Sequence, residues 1–129
     1  MRAPIVEAFH ETIGYCFNQV IQDMLGTPVR DEVVRLLERN HIPWHEVAVR
    51  FDDVVKILTN AFGPSARVII YKTVIEMHRE YFQPTDFPYE DSLRDRIDLL
   101  RQRILTDLIK PKHLLSDDSY YVPSPLAQE

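Results

Sequence analysis

Apolar residues recur along most of this chain at three- and four-residue steps, the spacing that places them on one face of a helix. Val6, Phe9, Ile13, Cys16, Val20 and Met24 form one such stripe, which Phe17, Ile21 and Leu25 widen. With Pro4 suited to an opening turn and Gly26 to a stop, the pattern predicts a first helix over 4–25. Gly14 inside it points to close contact with another helix or to a mild bend, at a cost of up to about 1 kcal/mol relative to alanine.

Thr27 and Pro28 read as a second helix start, with Asp31 and Glu32 favourable near its positive end. That helix runs to about Asn40, burying Val33, Val34, Leu36 and Leu37, and "NHIP" closes it because Ile42 precedes a proline. "WHEVAVR" (44–50) alternates too briefly for an assignment and reads as a connector. From Asp52 or Asp53 to Phe62 the period is helical again, with Val54, Val55, Leu58, Ala61 and Phe62 inward and Lys56, Thr59 and Asn60 outward. Gly63 and Pro64 break it.

The segment 64–82 carries Val68, Ile69, Ile70, Tyr71, Val74, Ile75, Met77 and Tyr81, apolar well beyond one stripe. A helix of that kind is enclosed on several sides, so it is read as the central one. "QPTDFPYE" marks a boundary. A long C-terminal helix over 89–110 follows, with Leu93, Ile97, Leu100, Ile104 and Leu108 along one face. Leu99 and Leu105 lie beside them, and Glu90–Arg94 and Asp98–Arg101 are spaced to pair across turns. The face 93–108 either packs on its own bundle or pairs with a second copy. Residues 111–129 are aperiodic and rich in proline, serine and acids, and read as a flexible tail.

The sum is an all-α, compact bundle of about five helices forming one domain over 1–110. A 45% hydrophobic content beside 27% charged residues is too apolar for a chain disordered throughout. No apolar run approaches the roughly 18 residues of a membrane span. Glu7, His10 and Glu11 interrupt what a signal peptide needs unbroken. With Cys16 as its single cysteine the chain suits the cytoplasm. Its net charge of −5 gives no global attraction to nucleic acid.

Chemistry-bearing motifs are sparse. The three glycines are too scattered for a phosphate loop, no nucleophile motif occurs, and Asp52 and Asp53 suit a helix start better than acid–base work. His41 and His45 have a ligand spacing that Pro43 spoils. The chain is therefore expected to hold no metal or cofactor and to be no enzyme. Trp44 reads as a core anchor or as the wall of a partner surface. The corner at 61–66, inside "LTNAFGPSARVIIYKTV", has the cadence of a helix-turn-helix. Its second helix, however, is the most apolar in the chain, where a reader of DNA presents polar and basic groups.

Over residues 5–82 the chain resembles the Nitrosopumilus output domains, small all-helical archaeal domains attached to response regulators or found alone. The resemblance rests on "VEAFHETIGYCFNQVIQDMLG", on "TPVRDEVVRLL" and above all on "FDDVVKILTNAFGPSARVIIYKTVIEMH". It implies a signalling or regulatory role through protein contacts and carries over no catalytic residue. Residues 84–129 depart from it, and the 129 residues hold no receiver domain. The expectation is a protein–protein interaction module that self-associates through 93–108, with Trp44 as a further contact. The alternative is a ligand- or DNA-binding regulator using the 58–74 corner.

Overall fold

Gly26 sits at φ 85°, ψ 166°, a region essentially closed to residues with a Cβ, and it breaks what is otherwise one long helical run, α1 (Pro4–Arg39). The two arms turn back on each other there. Arg30 Nε donates to Asn18 Oδ1 at 2.8 Å, although twelve helical residues would hold them roughly 18 Å apart in a straight rod. In the computed structural model, which describes residues 4–113, α1 is followed by a 3₁₀ turn (Trp44–Glu46), α2 (Phe51–Phe62), α3 (Ser65–Glu80) and α4 (Leu93–Asp107). The described residues are helical, with no strand among them.

α3 packs on α1, α2 and α4. Ala66, Ile69, Ile70, Thr73, Val74, Met77 and His78 are all buried. This is the enclosure its all-round apolar pattern predicts. α1 covers it with Phe9, Ile13, Cys16, Phe17, Val20 and Ile21, and its second arm adds Val33 and Leu37. Met24 and Leu25 are exposed, so the first stripe ends at Ile21, where the chain prepares to turn. Ala61 and Phe62, expected inward, also face out at the end of α2.

Two polar groups inside this core are satisfied locally. Thr12 Oγ1 donates its single proton to the Ala8 carbonyl at 2.7 Å. Its oxygen therefore accepts from the Tyr81 hydroxyl at 3.3 Å. Burial raises the Tyr81 phenol to about 12, outweighing the opposing effect of the Thr12 bond. Cys16 is likewise pushed far up by burial, with the Glu80 and Glu76 charges acting in the same direction. It packs in the core at 1% exposure, and its thiol form is favoured there.

The last helix is shorter than its periodicity predicts. After α3 the chain does not re-enter a helix at Tyr89 but runs back along α3: Tyr71 donates to the Phe87 carbonyl at 3.0 Å, and Arg67 to the carbonyls of Tyr89 and Asp91, the latter at 2.8 Å. These contacts hold 87–91 against α3, and α4 begins after Ser92, whose side chain caps it by accepting from the Asp95 amide. The helix thus starts beside the first turns of α3 and runs in the same direction. Leu108 ends it in the left-handed region, and the Ile109 amide closes on the Ile104 carbonyl at 3.2 Å.

Residues 111–113 are not a loose tail. Pro111 is buried, and His113 gives its backbone amide to Glu80 at 2.9 Å, approaches the same oxygen with Nδ1 at 2.7 Å, and stacks on Tyr15 at 4.5 Å between ring centroids. The rest of the sequence-assigned tail, 114–129, lies outside the described residues.

Candidate functional site

The face expected to pair with a second copy is occupied by the chain itself. Leu93, Leu100 and Ile104 are buried in the core and Ile97 packs against it. Leu108 stands outside the helix at 70% exposure. What α4 turns outward is Leu99 and Leu105, too few and too far apart for a heptad seam. The predicted Glu90–Arg94 pair does not form within the helix, because Glu90 precedes it. Arg94 reaches Asp52 on α2 instead, at 3.6 Å.

Trp44 is a half-buried anchor. Its ring lies 5.8 Å from that of Phe17, and the Arg30 guanidinium covers it at 5.1 Å. Since Arg30 also holds Asn18, this cluster clamps the corner of α1. The 61–66 corner leads α3 into the core, which leaves Ile69, Ile70 and Val74 without access to a DNA groove. Among the described residues, no three His, Cys, Asp or Glu side chains converge as a metal site, and no helix is long and apolar enough to cross a membrane.

The feature that can receive another molecule lies where α2, α3 and the start of α4 meet. A groove of about 760 Å³ runs there, floored by Phe51, Val55, Ile70, Leu93 and Ile97. Lys56, Arg67, Arg94 and Asp52 edge it, and Thr59, Gly63 and Pro64 close its far side. It is open along its length, not an enclosed cavity. Arg67 is fixed by the Tyr89 and Asp91 carbonyls and lies 5.0 Å from the Tyr89 ring centre, so this cation is held in place rather than free to swing.

Neither a family model, a curated protein nor a solved structure matches the chain.

The sequence pattern places Lys56 and Thr59 outward on α2 and Ile97 on the apolar face of the last helix, packed in its own bundle or paired with a second copy, and it does not bring them together. The one legible signal is Val55 beside Lys56, an apolar residue partly in contact with the core next to a cation that has Asp52 and Asp53 one turn before it. A second depression, lined by His78, Phe87, Arg96, Leu99 and Arg103, is smaller and more polar. His78 Nδ1 is committed to the Val74 carbonyl at 2.8 Å, and Arg96 to Asp91 at 2.9 and 2.5 Å, so two of its polar walls are engaged in holding the fold.

Proposed function

We propose that this chain is a regulatory interaction module that acts by binding another protein and performs no chemistry of its own. The observation that carries this reading is the groove between α2, α3 and α4: Val55 and Ile97 stand half-buried over the buried Phe51, Ile70 and Leu93, edged by Lys56, Arg67, Arg94 and Asp52. Such a surface suits a helix-in-groove contact, in which apolar anchors of a partner give affinity and edge charges give selectivity. A signalling role is supported by the resemblance of residues 5–82 to archaeal output domains, and the cytoplasm by the single buried thiol. Self-association through 93–108 loses its support, since that face already serves the core.

A comparison of two bulky surface substitutions tests the reading. Thr59→Trp fills the groove, whereas Gln19→Trp adds the same bulk at an exposed site on α1. A partner that co-purifies with the wild-type chain and with Gln19→Trp, but is lost from Thr59→Trp at unchanged melting temperature, is the predicted outcome. Equal retention by both variants contradicts it.

A further inference from the structure

The groove carries a charge opposite to that of the chain around it. The protein as a whole bears −5, yet the charged residues edging the groove are Lys56, Arg67 and Arg94 against Asp52 alone. These charges are only partly cancelled. Arg94 and Asp52 meet at 3.6 Å with both side chains largely exposed, a pair weakly held in water. Arg67 is bonded to neutral carbonyls, which leave its charge intact. Lys56 has no carboxylate at ion-pairing distance among the described residues. The first turn of α4 borders the same groove through Ser92, Leu93 and Arg94, but Ser92 already accepts from the Asp95 amide and Asp95 sits in that turn, so the positive rim rests on the side chains.

Two properties must then be matched together: an aliphatic floor and a cationic rim. A nucleic acid matches the rim but offers no aliphatic side chains to cover the half-buried Val55 and Ile97. A small apolar acid also matches both, but such ligands bury most of their surface and this groove is only partly enclosed. A second copy of this chain brings net negative charge but no exposed amphipathic helix among the described residues, since α4 already turns its apolar face inward.

We propose that the groove receives an amphipathic helix of a partner protein whose apolar stripe is flanked by carboxylates. This rests on reading the chain as an interaction module, and adds the sign and shape of what it binds. Asp52 occupies on Arg94 the place that an incoming carboxylate takes, so the resting pair opens when the partner arrives.

The test uses the full chain and two synthetic helical peptides that share one leucine stripe, flanked by glutamates in the first and by lysines in the second, with binding read by fluorescence anisotropy. The acidic peptide binds, and the basic one at least tenfold more weakly. Lys56→Glu combined with Arg94→Gln, both at exposed positions, reverses that order without changing the melting temperature, and Asp52→Asn tightens the acidic peptide several-fold. Equal binding of the two peptides, or preference for the basic one, overturns the charge assignment while the interaction reading stands on the Thr59→Trp comparison. Absence of binding by either peptide overturns it as well. So does a wild-type dimer that the acidic peptide dissociates, or retention on duplex DNA that the double variant loses, because each places a different occupant in the groove.

Discussion

Asn18 and Arg30 hydrogen-bond at 2.8 Å across a corner whose only break in helical geometry is Gly26. The contact ties the two arms of α1 together and, through the Arg30 guanidinium over Trp44, fixes the turn that follows.

The two α1 glycines should therefore respond in opposite directions to alanine. Gly26→Ala forces a Cβ into φ 85°, ψ 166° and is expected to cost about 1–3 kcal/mol. Gly14 lies in regular helix, and a Cβ there meets nothing within 4 Å, so neither the close contact nor the bend suggested by its sequence position is needed. Gly14→Ala is expected to stabilise by about 0.5–1 kcal/mol. Urea denaturation of both variants measures the contrast.

Three segments end without glycine where glycine fits best. His41, Phe82 and Leu108 hold φ of 64°, 59° and 54°, each just before an amide that closes five residues back: Ile42 on Leu37, Gln83 on His78 and Ile109 on Ile104. Phe82 and Leu108 are also 61% and 70% exposed, so their side chains contribute little burial in return. Phe82→Gly and Leu108→Gly are each expected to raise stability by about 1 kcal/mol, read as a higher denaturation midpoint.

Leu100 separates a cis from a trans role for α4. Its side chain is 3% exposed inside the single chain, so Leu100→Arg buries a charge and is expected to cost about 3–5 kcal/mol or to abolish folding. The wild type is expected to sediment as a monomer. A dimer that this substitution converts into a folded monomer runs against the packing described.

Burial lowers the His78 pKa below 6.5, and Arg96 acts in the same direction, while the bond to the Val74 carbonyl opposes them. The native state thus favours the neutral ring, and the unfolded chain binds the proton first as pH falls. Stability contributed by this group is whole above pH 6.5 and declines as pH drops through that value toward the lowered native one. His78→Gln, which keeps a donor in place, is expected to flatten that part of the pH–melting profile; an unchanged profile contradicts the assignment.

These contrasts bear on what the residues disclose by themselves. The enclosure of α3 is legible because Val68, Ile69, Ile70, Tyr71, Val74, Ile75 and Met77 leave a helix no wholly polar face. The stop at Gly26 is legible because backbone conformation there is local. The limits of α4 are not, since Arg67 and Tyr71, some twenty residues upstream, hold the carbonyls of Phe87 and Asp91 and the chain between them turns without entering a helix. The groove follows from that same detour. Only when the linker returns along α3 does Ile97 come to lie across from Val55, and no periodicity within either helix encodes the meeting.

Whether the groove is the surface the protein works through is read most directly from backbone amide shifts of the isotopically labelled chain titrated with the glutamate-flanked peptide. Shifts concentrated at Val55, Lys56, Thr59, Arg67, Leu93 and Ile97 are the predicted result. Shifts concentrated instead around Arg30 and Trp44, or along Leu99 and Leu105, would contradict it, as would a spectrum the peptide leaves unchanged.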